Sequence, residues 1–186
     1  MKTFKKTFLL ISGCLFLIIG CKDVPKKKNN MNKHTNLDIA SKFIDAFYSF
    51  NSDSLQSTLK YANDSKNDIL NYQKWAECGN YKVMKRNDFI QKNDSLVLCP
   101  ITVKEDLIGA LKVGFNVTDT FHLTILNGKI RSIETSSNDP ELFGEARNWA
   151  YQNRPELMNK ACKGEIPTPC ECVKATVEGF VEFMNK

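Results

Sequence analysis

The sequence predicts an α+β domain in which helices pack against a curved antiparallel sheet. Three observations carry this. Apolar residues recur at three- and four-residue spacing from residue 37 to 76, alternate with polar ones between 81 and 135, and return to helical spacing from 140 onward. Helices, then strands, then helices is a segregated order, unlike the regular alternation that builds a parallel sheet.

Each element follows from local chemistry. Thr35 and Asp38 form a shortened capping box ahead of the stripe Leu37, Ala40, Phe43, Ile44, Phe47 and Phe50. Asn51-Ser52-Asp53 breaks this helix and caps the next, which sets Leu55, Leu59 and Ala62 on one face. A third helix carries Ile69, Leu70, Tyr72, Trp75 and Ala76 and stops near Cys78-Gly79-Asn80. Strands over Tyr81–Ile90 and Leu96–Lys104 flank the polar loop Gln91–Asp94, with Val97, Cys99, Ile101 and Val103 alternating onto one face. Asp106–Leu111 is a short helical turn. Strands Phe121–Leu126 and Lys129–Thr135 are joined by Asn127-Gly128, which accepts the positive φ angles of a type I′ turn. That turn sets Ile125 opposite Ile130 and Thr124 opposite Arg131. Phe121, Leu123, Ile125 and Ile130 then share one face, and His122, Thr124 and Lys129 the other. Asp119 reads as a turn residue at the start of this strand. Helices over Pro140–Tyr151 and from Pro155 to about Gly164 follow. Thr168-Pro169-Cys170-Glu171 is a strong start for the last helix, whose buried stripe is Val173, Val177, Phe180, Val181 and Met184.

Ahead of the domain, Lys2, Lys5 and Lys6 precede an apolar run from Phe8 to Ile19. This is the order of a secretory signal, and the run is too short for a membrane span of about 20 residues. Ile18-Ile19-Gly20-Cys21 resembles a bacterial lipobox. The resemblance implies a signal peptide over 1–20, cleavage before Cys21 and diacylation of Cys21. Two acyl chains give stable membrane attachment where one does not. Lys22 in the sorting position, where Asp would signal inner-membrane retention, implies the outer membrane. Residues 21–35 form a basic tether almost without apolar residues, expected to be disordered.

The net charge of +5 belongs to these segments. Residues 34–186 hold 18 basic and 20 acidic side chains, net −2, so nucleic acid is not an expected partner. The remaining length of about 150 residues suffices for one domain with a real core.

The cysteines point to an oxidising compartment. With Cys14 in the signal and Cys21 lipidated, Cys78, Cys99, Cys162, Cys170 and Cys172 remain. Five leaves one thiol over. The expected bridges are Cys78–Cys99, closed by the intervening hairpin, and Cys162–Cys172, with Cys170 its rival and otherwise the reactive spare in the first turn of the last helix. The small residues Thr176 and Gly179, in line with Cys172, admit a close neighbour, expected to be the helix ending in Cys162. Three cysteines without a nearby His do not make a structural zinc site, so no metal is expected.

The helix end Phe47-Tyr48-Ser49-Phe50-Asn51-Ser52-Asp53-Ser54-Leu55 and the hairpin Phe121…Leu126-Asn127-Gly128-Lys129-Ile130 resemble, in their order, the nuclear transport factor 2-like superfamily. The resemblance covers residues 36–136. Trp149…Pro155-Glu156 is similar to the C-terminal extension of some bacterial members, here 137–186. It implies a sheet wrapped around a long helix with a cone-shaped cavity. Phe43, Phe47, Tyr48, Trp75, Phe121, Leu123 and Ile125 are the candidate lining.

Family members include isomerases, dehydratases and cyclases as well as binding proteins, so function rests on the site. The chain has no Ser-His-Asp order, phosphate loop or metal pattern, and neither His34 nor His122 reads as catalytic. No catalytic residue and no cofactor is assigned. The expectation is a lipid-anchored envelope protein that binds a small apolar ligand or a protein partner. A small-substrate isomerase, dehydratase or cyclase and a structural envelope protein are the alternatives. A homodimer through the sheet face is a further expectation.

Overall fold

Thr35 Oγ1 accepts the Asp38 amide at 3.1 Å, and the Asp38 carboxylate accepts the Thr35 amide at 2.9 Å. This reciprocal cap starts α1 (Asn36–Tyr48) in the computed structural model, which describes residues 35–163 and 168–186. The signal segment, Cys21 and the tether up to residue 34 lie outside the described residues, as does Gly164. Asn51 caps α2 (Ser52–Thr58) through its side-chain oxygen. Then come α3 (Lys66–Cys78), β1 (Lys82–Arg86), β2 (Ile90–Gln91), β3 (Leu96–Lys104) and α4 (Asp106–Ala110). The chain continues through β4 (Val117–Leu126), β5 (Lys129–Ser137), α5 (Glu141–Asn153), α6 (Pro155–Lys163) and α7 (Pro169–Met184). The described residues form one compact unit.

The protein is α+β. Its sheet has five antiparallel strands in the order β1-β3-β4-β5, with the short β2 also paired to β3. The expected strand over 81–90 is broken in two. Asn87 lies at the break and donates its amide to the Pro100 carbonyl at 3.1 Å. Pro100 has no N–H to return on that side, so the ladder fails there. The Asn87 side chain instead reaches Thr102 Oγ1 at 3.1 Å. In the late hairpin Asn127 and Gly128 both have positive φ, as a type I′ turn requires. Ile125 pairs with Ile130, but Thr124 pairs with Ser132, so Arg131 is the extra residue of a bulge rather than the partner of Thr124.

The core lies between α1 and the inner face of the sheet. Phe43, Phe47, Phe121 and Leu123 are fully buried and Ile125 nearly so. Phe121 meets Phe47 and Phe43 edge-on, with ring centroids 4.8 and 5.6 Å apart. These rings fill the space beneath α1. Gln73, buried on α3, donates to the carbonyls of Ala46 and Phe47 at 3.1 and 2.8 Å. It adds a second donor to each carbonyl, beside the Ser49 hydroxyl on Ala46 and the Phe50 amide on Phe47, and fixes α3 beside the end of α1.

Two disulfides hold the C-terminal helices. Cys162 bridges Cys172, tying α6 to α7. Cys78 bridges Cys170, not Cys99, tying the end of α3 to the first turn of α7. Cys99 is a buried thiol that faces the core opposite Phe121 in the ladder. Its mid-strand inward position keeps it from the helix end, and burial pushes its pKa up to about 12, so it is inert at neutral pH. Cys170 is therefore no reactive spare. Nor is α6 the neighbour at Gly179. A methyl there would lie 2.7 Å from Cβ of Ala150, on α5.

Candidate functional site

A cavity of about 430 Å³ opens where α3, α5 and α7 meet the ends of β4 and β5. Tyr72, Trp75, Tyr81 and Phe143 supply its aromatic wall, and Glu105, Asp119, Asp139 and Arg147 its charges. Of the residues expected to line a pocket, Trp75 does. Phe43, Phe47, Phe121, Leu123 and Ile125 pack as core instead, because their rings and branched chains fill the space between α1 and the sheet. Tyr48 is half-buried beside them, and its hydroxyl has no hydrogen-bond partner.

Asp119 reaches the site through the strand it sits on. β4 begins at Val117, so Val117, Asp119, Phe121, Leu123 and Ile125 alternate onto the inner face. A carboxylate in an apolar alternation is buried, here to 3% exposure. Burial raises its pKa to about 6, helped by the nearby charge of Asp139 and opposed by hydrogen bonding from Tyr72 and Ser137. Its Oδ2 has no hydrogen-bond partner. An orphan buried acceptor costs about 1–3 kcal/mol, more when charged, so this atom stands out.

The other acids are occupied. Glu105 caps α4, its two oxygens accepting the amides of Leu107 and Ile108 at 2.7 and 2.9 Å. Burial raises its pKa to about 7 against the pull of those two amides. Asp139 accepts the Ser137 hydroxyl at 3.0 Å.

The aromatic wall is built by one helix and its exit. Tyr72 and Trp75, three apart, share a face of α3. Asn80 takes a left-handed conformation after α3 and turns the chain back, so that Tyr81 lies against Gly79. A methyl on Gly79 would lie 2.9 Å from Cε1 of Tyr81. The Tyr72 and Tyr81 hydroxyls are held well above their ordinary pKa, chiefly by burial and then by nearby acids. They are neutral hydrogen-bonding groups at physiological pH. On the far wall Thr176 spends its hydroxyl on the Cys172 carbonyl at 2.7 Å.

Sequence reasoning missed Asp119, Glu105, Asp139, Arg147, Tyr72, Tyr81 and Phe143 as site residues. For Asp119 the signal existed, a polar residue in phase with four apolar ones, two residues before the point where the strand was expected to begin. His122 lies on the opposite face and bonds Ser136 Oγ through Nε2 at 2.8 Å. Among the described residues no group of His, Cys, Asp and Glu is arranged to hold a metal ion, and no helix is long and apolar enough to cross a membrane.

Compared with protein-family models, curated proteins and solved structures, the chain has no significant match to any of them.

Proposed function

We propose that this is a lipid-anchored envelope protein with a nuclear transport factor 2-like domain that binds a small molecule in the acid-lined aromatic cavity. The observation that carries the binding reading is Asp119 Oδ2, a buried acceptor without a partner on a residue lining an aromatic cavity. Ligand sites pair a largely apolar wall with a few convergent polar groups. Such an acceptor favours a ligand with at least one hydrogen-bond donor over a purely apolar one. The test is a ligand-observed NMR screen of ring-bearing fragments against the full chain and against Thr135→Trp. Thr135 is an exposed residue of β5 at the cavity wall, so a large side chain there blocks the space without entering the core. Fragments that bind the wild type and not the variant support the reading; equal binding to both, or to neither, defeats it.

The anchor rests on residues 2–21 alone. Cys21→Ala abolishes labelling by a fatty-acid analogue if Cys21 is the lipidated residue, and undiminished labelling rules that out.

A second reading, a small-substrate isomerase, dehydratase or cyclase, is favoured by one feature. Asp119 has a pKa of about 6 and neighbours neutral tyrosine hydroxyls. That is the range in which a carboxylate both takes and returns a proton at neutral pH. Turnover that is lost in Asp119→Asn, while fragment binding survives, would favour it.

A further inference from the structure

The balance of charge and aromatic surface around Asp119 narrows the ligand class. Three carboxylates line the cavity, Glu105, Asp119 and Asp139, against one guanidinium, Arg147, on an exposed residue of α5. Two of the acids have their hydrogen bonds supplied from within the fold, Glu105 by the amides of α4 and Asp139 by Ser137. Asp119 is almost wholly buried, and its Oδ2 has none. Tyr72, Trp75, Tyr81 and Phe143 supply the neighbouring surface. Aromatic faces attract a cation through the ring quadrupole, most strongly where water is excluded. A carboxylate oxygen without a donor gains most from a donor that also carries positive charge. An anionic ligand would instead meet three acids and answer only to Arg147.

Resting on the small-molecule reading above, we infer that the cavity takes an organic ammonium, a ring-bearing amine whose N–H donates to Asp119 Oδ2 while its ring packs among Tyr72, Trp75 and Tyr81. An alcohol and an ammonium both make a charge-assisted bond to a carboxylate, but only the ammonium adds the Coulomb attraction of two opposite charges, which is strong where water is excluded. Selection of the amine over an isosteric alcohol should therefore be about tenfold or more in Kd.

Three probes of matched shape test this on the full chain by calorimetry at pH 7.5: benzylamine, benzyl alcohol and benzoate. Benzylamine is expected to bind about tenfold more tightly than benzyl alcohol, with benzoate weakest. Asp119→Asn keeps the size of the side chain and removes its charge. It should abolish the preference for the amine, weakening benzylamine more than benzyl alcohol. Benzyl alcohol or benzoate matching benzylamine on the wild type overturns the inference, as does an amine preference that survives in Asp119→Asn. Thr135→Trp distinguishes loss of the ammonium assignment from loss of the cavity as a ligand site. If benzyl alcohol or benzoate binds best and is lost in Thr135→Trp, the cavity is a ligand site and only the ammonium assignment falls. If no probe binds the wild type, both fall.

Discussion

Removing the Cys78–Cys170 bridge should destabilise the domain more than removing Cys162–Cys172, although both tie α7 to a neighbour. The bridges close loops of very different length, with sequence separations of 92 and 10 residues. A cross-link restricts the unfolded chain by an entropy that grows with the logarithm of the loop. At 25 °C this gives about 4.6 kcal/mol for the longer loop and about 2.7 kcal/mol for the shorter. Overlap between the loops changes little. With Cys162–Cys172 already formed, the path from Cys78 to Cys170 shortens by only a few residues, and the logarithm hardly moves. The variants are Cys78→Ser/Cys170→Ser and Cys162→Ser/Cys172→Ser, made as pairs so that no lone thiol reshuffles. All four cysteines are half-buried, so serine loses little packing.

Urea denaturation followed by circular dichroism measures both variants. The long-loop variant should lose about 2 kcal/mol more than the short-loop one, and its total loss corresponds to roughly 9–18 °C in Tm for a domain of this size. Non-reducing peptide mapping of the wild type fixes the connectivity first. A larger loss on removing Cys162–Cys172 would refute the entropic argument. A Cys78–Cys99 peptide would refute the α3–α7 contact itself.

Three further outcomes follow from the packing and the charges. Asp119 has its pKa raised from 3.8 to about 6 by burial, so the folded state holds its proton more tightly than the unfolded chain does. Its contribution to stability is complete below about pH 4 and is lost as pH rises through about 6; Asp119→Asn should match wild type near pH 4 and exceed it by up to ~3 kcal/mol at pH 8 in urea titrations. A difference independent of pH would show that Asp119 is not buried as described. Gly179→Ala brings a methyl to 2.7 Å from Ala150 Cβ. The cost should be about 1–3 kcal/mol before a gain of about 1 from helix propensity. Adding Ala150→Gly should recover most of the clash, and a double-mutant cycle with no coupling would mean that α5 and α7 do not meet there. Gly79 has an ordinary φ of −81°, so Gly79→Ala acts through contact alone. It should displace Tyr81 and shift the Trp75 indole N–H signal, since both residues line the same wall of the cavity; an unmoved signal counts against the packing of this wall.

What was legible in the sequence was local. Thr35, Asn51, Asn127-Gly128 and Thr168 act within four residues of themselves, and each does in the structure what its chemistry implied. The inward set Val97, Cys99, Ile101 and Val103 follows from a period of two that no tertiary contact overrides. The Cys78 bridge was not legible, because it depends on where α7 docks after the chain has passed through the whole sheet. Loop closure across a hairpin is the cheaper local guess, and it fails because Cys99 points into the core. Little of the site was legible: of the seven candidate lining residues only Trp75 borders the cavity. Trp75 was found by helical spacing. Glu105 was missed because glutamate is not among the favoured helix N-caps, and Asp119 because the strand was begun two residues late. Both errors concern a boundary, and both hid a carboxylate.

The cavity and the disulfides bear on each other. Cys78 ends the helix that carries Tyr72 and Trp75, and Cys170 starts the helix that carries Thr176. One covalent bond therefore links two walls of the same space. The opposite wall is strand, with Asp119 paired to Ser137 across β4 and β5. A buried carboxylate oxygen without a partner is tolerable only if its surroundings cannot collapse onto it or swing away to admit bulk water. The hydrogen-bonded ladder provides that rigidity on one side. On the other, the Cys78–Cys170 bond holds α3 to α7. The unsatisfied Asp119 and the oxidised state of α3 and α7 thus belong to one design. Reduction should loosen the aromatic wall before it unfolds the sheet, since the sheet keeps every one of its ladder bonds when both bridges are cut.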